Sequence, residues 1–239
     1  NLLDVLQRAG LAVLWIDNQS GCKGVCARVP SVSTTASKDS AYCAGGECMD
    51  AIMISRLDAE IAKLPAERRA KGVVVVLHQM GSHGPAYFKR SPPAQKIFQP
   101  ECSSNTLQDC QRQSLLNAYD NSIVYTDFVL NAAIAWLQSH AATARGALLY
   151  VSDHGESLGE NNLYLHGLPY AVAPEYQKHV PWIAWQAPDF GISATCLQAR
   201  KNQALSHDHL FHTVLGLMDV RTVLYQAAWD AYADCSSPQ

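Results

Sequence analysis

The 239-residue chain sets 18 Lys and Arg against 21 Asp and Glu, a formal net charge of −3, so it has no basic field for holding nucleic acid through its phosphates. Hydrophobic residues make up 48% and charged residues 16%, the balance of a single packed α/β enzyme domain. No apolar run approaches the roughly 18 to 20 residues that span a bilayer, and with no Met start and no signal peptide the chain reads as a segment whose targeting information lies upstream.

Asn1 caps a short helix with Asp4 in its first turn, and Gly10 ends it. Leu11–Ile16 is a β-rich apolar run that gives way to the polar Asp17-Asn18-Gln19-Ser20-Gly21, so a strand runs into a loop. A helix feeding a buried parallel strand is half of a βαβ unit and implies an earlier strand. Residues 17–48 are long and irregular, a pattern that calls for a function or for staples. Within them Lys23 could meet a phosphate as a point charge, or be one more solvated lysine. Asp50–Leu64 carries Ile52, Met53, Leu57 and Ile61 at helical spacing and stops at Pro65, a core-facing helix.

The four valines of Gly72–Leu77 predict a fully buried parallel strand. It runs into His78-Gln79-Met80-Gly81-Ser82-His83, where two histidines in a Gly-punctuated turn suit metal or phosphate contact as well as ordinary structural roles. Gln111–His140 predicts one long or kinked helix, with Asn117, Tyr119, Asp120 and Asn121 read as solvated surface. Ala147–Ser152 is a strand ending at Asp153-His154-Gly155. An oxygen donor and an imidazole at a strand's carboxyl end suit Zn²⁺, which takes such ligands at about 2.0 to 2.2 Å. The same residues also suit a capped strand end with Asp153 closing an Asx-turn. Val180–Trp185 is a further strand near an edge or its own beginning because of Pro181, and Ala187–Gln203 reads as loop. Ser206 caps a helix through Leu217. His209 and His212 share a face of it and His207 does not, so the three read as helix surface or cap.

The eight cysteines lie in Gly-, Ser- and Asn-rich segments, which suits disulfides in an oxidising compartment. Local spacing pairs Cys22 with Cys26, Cys43 with Cys48 and Cys102 with Cys110. Elimination leaves Cys196 with Cys235.

Several strings occur together in order: Leu2-Leu3-Asp4-Val5-Leu6, Cys22-Lys23-Gly24-Val25-Cys26, the run from His78 to Arg90, Ser114 to Asn121, and Ser152-Asp153-His154-Gly155-Glu156-Ser157 with His166 following. Together they resemble the lipid A phosphoethanolamine transferases of Gram-negative bacteria, which include the plasmid-borne colistin-resistance group and belong to the alkaline phosphatase/sulfatase superfamily. The resemblance implies an alkaline-phosphatase-like three-layer α/β sandwich, its central, mostly parallel sheet flanked by helices and its loops stapled by disulfides. It implies residues 1–239 as the C-terminal part of a zinc-dependent catalytic domain at the periplasmic face of the inner membrane, anchored there by a separate N-terminal domain.

In such enzymes a threonine takes phosphoethanolamine from phosphatidylethanolamine and passes it to a lipid A phosphate. Asp153 and His154 resemble two zinc ligands. His83 and His166 resemble histidines that contact the phosphoethanolamine group or a second zinc, with His78, Lys23 and Glu156 as further candidates. The acidic ligand and the threonine nucleophile of the family pattern fall upstream of Asn1; Thr34 and Thr35 sit in the cysteine-rich loop and do not match it. The competing expectations are another superfamily enzyme, a sulfatase or phosphoglycerol transferase, and a non-catalytic periplasmic module that binds an anionic headgroup.

Overall fold

In the computed structural model, which describes residues 1–235, the chain opens with a capping box. The Asn1 side chain accepts from the Asp4 amide at 3.1 Å, and the Asp4 carboxylate accepts from the terminal ammonium. This starts α1 (Leu2–Arg8), which turns directly into β1 (Ala12–Asp17). Successive β1 side chains enter two different cores. Val13 packs with Leu3, Leu6 and Leu215 on one face, while Ala12, Leu14 and Ile16 pack with Ile52, Met53 and Leu57 on the other. A strand covered on both faces shows an unbroken apolar run, as Leu11–Ile16 does.

Next come β2 (Ser31–Ser33) and the small hairpin of β3 (Cys43–Ala44) and β4 (Glu47–Cys48). Helices α2 (Ala51–Ala62) and α3 (Ala66–Arg69) lead to β5 (Val73–His78). The central sheet has the order β2-β1-β5 and is parallel throughout, with Asp17 in register with both Ser33 and His78. The 28-residue α4 (Arg112–Ser139) packs beside α2 and reaches the same core through Trp136. With α1 and α7 (Asp208–Leu217) covering the opposite face, the sheet is the middle of three layers. Strand β6 (Ala147–Val151) is followed by the hairpin of β7 (Ser157–Leu158) and β8 (Tyr164–Leu165), then α5 (Glu175–Lys178). Strand β9 (Trp182–Gln186) starts just after Pro181 and pairs antiparallel with β6, and α6 (Ala194–Arg200) precedes α7. The alkaline-phosphatase-like sandwich expected from sequence is the fold observed. No helix among the described residues is long and apolar enough to cross a membrane.

All four expected disulfides form, Cys22–Cys26, Cys43–Cys48, Cys102–Cys110 and Cys196–Cys235, with Cα separations of 5.7, 4.0, 5.7 and 5.5 Å. Three sequence readings are corrected. Strand β5 is half-buried at every residue, as is β6, because among the described residues each pairs along one edge only. Residues 194–200 of the expected loop are helical, since Ser193 caps them by accepting from the Cys196 amide at 3.2 Å. Asn117 and Asn121 are buried, not solvated. Asn121 grips the Phe98 amide and carbonyl and the Glu101 carboxylate, each at 2.9 Å, and Asn117 donates to the Pro100 carbonyl, so α4 staples the loop that crosses it.

A buried carboxylate ties the carboxyl ends of β1 and β5. Asp50 accepts from Asn18 Nδ2 at 2.8 Å and from the Met80 and Gly81 amides at 2.9 and 2.8 Å, while Thr34 Oγ1 donates to Asn18 Oδ1 at 2.6 Å. Burial pushes the Asp50 carboxyl above its ordinary range. Asp50→Ala takes the acceptor from the buried Asn18 side chain and from the half-buried Met80 and Gly81 amides and is expected to cost about 3 kcal/mol in urea unfolding. The sign of the pH dependence follows from the raised value. The contribution of Asp50 is fully present below the ordinary carboxyl value of about 3.9 and declines as pH rises through the raised one, so the stability gap between the two proteins should narrow over that window.

Candidate functional site

Three imidazoles meet where the loops after β5 and β6 converge. The β6 ladder ends at Val151, and the chain turns through Ser152, Asp153 and His154 into Gly155. Gly155 is required by close approach: a Cβ there would collide with the Tyr176 carbonyl. Its amide donates to the Gln177 carbonyl at 3.0 Å, and the buried Gln177 side chain donates to Ser157 Oγ at 2.6 Å and to the Leu165 carbonyl at 3.1 Å. These bonds fold the His154 turn and the β7–β8 hairpin together. The His154 and His166 rings are consequently 3.6 Å apart between centroids, and His83 stands edge-on to His166 at 5.9 Å.

The hydrogen bonds assign protons. His154 Nδ1 bonds the Gly155 carbonyl at 3.0 Å and His83 Nδ1 bonds the Gly84 carbonyl at 2.7 Å. Carbonyls only accept, so both rings carry their proton on Nδ1 and leave Nε2 free. His166 Nδ1 bonds Glu156 Oε1 at 3.0 Å, and Glu156 Oε2 accepts from the Tyr87 hydroxyl at 3.1 Å. A histidine oriented by a carboxylate that is itself held is the usual support behind a metal ligand. Glu156 is buried, and burial together with that carboxylate pushes the Tyr87 phenol well above its ordinary range, which keeps it a donor.

His154, Glu156 and His166 offer ligand atoms that all lie within 4.8 Å of one another. Two imidazoles and a carboxylate are a donor set that suits Zn²⁺, so these residues fit the metal that the sequence pattern implies. Asp153 stands outside this trio. Its carboxylate is 81% exposed, with one oxygen accepting the His154 amide at 3.1 Å and the other 3.7 Å from His154 Nε2.

His78 is set apart, bonded through Nδ1 to the buried Asp17 at 2.6 Å and leaning on the Trp15 ring, a structural pair at the end of β1 and β5. Lys23 is exposed in a left-handed conformation inside the Cys22–Cys26 turn and makes no ion pair among the described residues. Thr34 is buried with its hydroxyl donating to Asn18 and the Asp17 carbonyl, and Thr35 bonds only Ser33. His209 and His212 take the cap and surface roles expected of them, bonding the Ser206 and Gln226 amides.

Sequence reasoning missed Tyr87, Arg90 and Gln177. Arg90 donates to the His83 carbonyl at 2.9 Å and to Glu47 at 2.9 Å, locking the His83 turn to the β3–β4 hairpin. Tyr87 and Arg90 both lie inside the His78–Arg90 string, which was read for its histidines alone. Beside His154 and His166 opens a cleft of about 1420 Å³ that also meets Asp153, Lys178 and Trp182, larger than most small-molecule sites.

The sulfatase family model matches residues 1–220. The chain is 46% identical over 239 residues to the phosphoethanolamine transferase EptA of Salmonella typhimurium, an alignment covering 98% of this chain and 43% of the relative. It is 42% identical over 226 residues to the phosphatidylethanolamine transferase Mcr-1 of Escherichia coli, covering 92% and 40%. The soluble domain of lipooligosaccharide phosphoethanolamine transferase A from Neisseria meningitidis superposes with a TM-score of 0.93 at 42% identity, covering all of this chain and 71% of that one. The chain thus spans less than half the length of these curated relatives.

Tyr87→Phe removes one neutral donor to Glu156 and is expected to cost about 1 kcal/mol of stability. Because the folded phenol is raised, its contribution is present below the ordinary value of about 10 and lost as pH rises through the folded one. Denaturation at pH 8 and pH 11 should therefore show a steeper alkaline loss in the parent than in the variant. Gly155→Ala should cost about 2 kcal/mol by forcing the Tyr176 backbone away.

Proposed function

This chain belongs to the sulfatase family, and from that premise we propose that the protein containing it moves phosphoethanolamine from phosphatidylethanolamine to a phosphate of lipid A at the periplasmic face of the inner membrane. The observation that carries the reading is the convergence of His154 and Glu156, on the Ser152–Ser157 string, with His166 beyond the β7–β8 hairpin, in a chain nearly half identical to named phosphoethanolamine transferases.

In this reading the metal is Zn²⁺, held by His154 and His166 with carboxylate from Asp153, while Glu156 stands behind His166. When bound it polarises phosphoryl oxygens and lowers the pKa of an attacking hydroxyl. The residues of this chain supply the frame for that. Glu156 keeps the His166 proton on Nδ1, Tyr87 keeps Glu156 in place, and Arg90 fixes the turn that brings His83 to the same point. With Nδ1 held by the Gly84 carbonyl, His83 donates from Nε2 to the phosphoryl group in its imidazolium form. The cleft alongside receives the lipid.

The attacking threonine and a further acidic ligand come from polypeptide outside these 239 residues. The commitments of Thr34 and Thr35 and the single-edge pairing of β5 and β6 support that assignment. Transfer then takes two displacements at phosphorus. Threonine oxygen bonds to phosphorus as diacylglycerol leaves, and a lipid A phosphate oxygen then displaces the threonine. Each transfer adds an ammonium to a phosphate, weakening the attraction of the lipid A surface for cationic peptides of the polymyxin class.

The test uses the longer protein with labelled phosphatidylethanolamine and lipid A, and mass spectrometry of the products. Diacylglycerol release with a phosphoethanolamine mass added to lipid A is expected. Hydrolysis of sulfate esters, or headgroup binding with no transfer, would sink the reading. His154→Ala and His166→Ala should each weaken Zn²⁺ binding by about a hundredfold in competition with a chromophoric chelator, while His78→Ala should leave it near the parent value.

A further inference from the structure

The hydrogen-bond ladder between β6 and β9 stops at Val151, so Ser152 is the first residue that the sheet does not hold. Its carbonyl is nevertheless fixed. His207, at the start of α7, bonds it through Nε2 at 2.7 Å across 55 residues of sequence, and Ser152 Oγ donates to the His154 carbonyl at 2.7 Å. The next backbone tie is the Gly155 amide on Gln177. Asp153 and His154 therefore hang between two anchors, of which His207 is the first. The helix behind His207 is firm, since Thr213 and Leu215 are fully buried and Thr213 Oγ1 accepts from the Ala231 amide at 2.9 Å.

We infer that His207 is a positioning residue for the Asp153-His154 turn. A carbonyl can only accept, so Nε2 carries the proton and the ring acts as a one-point clamp from α7 onto the end of β6. The clamp sets where His154 Nε2 stands relative to His166, and so how well the pair receives a divalent cation. The cation part of this inference rests on the function proposed above; the clamp itself rests only on the hydrogen bonds.

The reach of the side chain provides the test. The amide nitrogen of Gln lies where a histidine Nε2 lies, whereas that of Asn matches Nδ1 and falls short of the Ser152 carbonyl. His207→Ala, His207→Asn and His207→Gln are compared for Zn²⁺ affinity, for amide hydrogen exchange at residues 153–155 and for thermal midpoint. The Ala and Asn variants are expected to exchange faster at these amides and to bind Zn²⁺ about tenfold more weakly, the scale of an outer-shell contact to a metal ligand. The Gln variant should restore both readouts, with all three midpoints close to the parent. Unchanged exchange in His207→Ala, or a Gln variant as impaired as Ala, overturns the inference. All variants are made in the longer protein; if its parent form binds no Zn²⁺, the functional reading fails, and the exchange comparison still decides the role of His207.

Discussion

A carboxylate with no access to water has to find donors, and the arrangement around Asp50 follows from that requirement. Its oxygens collect the amides of Met80 and Gly81 and the amide side chain of Asn18, whose own oxygen is held by Thr34. Three separate stretches, after β1, before α2 and after β5, are thereby drawn to one point beneath the carboxyl edge of the sheet. The turn that begins at Met80 leaves this point in one direction only, and it delivers His83 to the imidazole cluster. Parallel strands place their carboxyl ends side by side, and the buried polar knot sets the course of the chain once the strands end.

The imidazole cluster uses the same principle in a half-exposed setting. None of its rings has both nitrogens free. His83 and His154 spend Nδ1 on the carbonyl of the following residue, and His166 spends it on a carboxylate held by a phenol. Local bonds of this kind fix tautomers at little entropic cost, because each partner is already ordered by the turn that contains it. The rings are therefore set in place by the fold itself, and the exactness of the cluster depends on backbone anchors more than on the rings.

Some of this was readable from residue order and some was not. The strands that run into His83 and His154, the long α4 and the four cysteine pairs were legible, because each leaves a local mark: an apolar run that stops, a helical period, a short cysteine spacing. The polar staples were not. Asp50, Asn117 and Asn121 look like cap or surface residues in sequence, and only the fold reveals that their partners arrive from Met80, Pro100 and Phe98. The placement of Asp153 and Glu156 about the histidines was hidden for a related reason. Which of two nearby carboxylates faces a histidine depends on the turn geometry that Gly155 and Tyr176 impose, and spacing alone does not encode it. The half-burial of β5 and β6 was likewise invisible, since an apolar strand reads the same whether one edge or both are paired.

That half-burial has a physical side separate from chemistry. Strand β5 presents Val73 to Val76 along an edge that no described strand covers, and neither a charge nor a proline interrupts it. Proteins usually blunt such edges, because a bare row of amides and carbonyls beside β-branched side chains is a template for another chain. Whatever lies against that edge of β5 therefore guards the chain from its own kind as well as completing the sheet, because self-association through an uncovered row of valines competes with folding and grows with concentration.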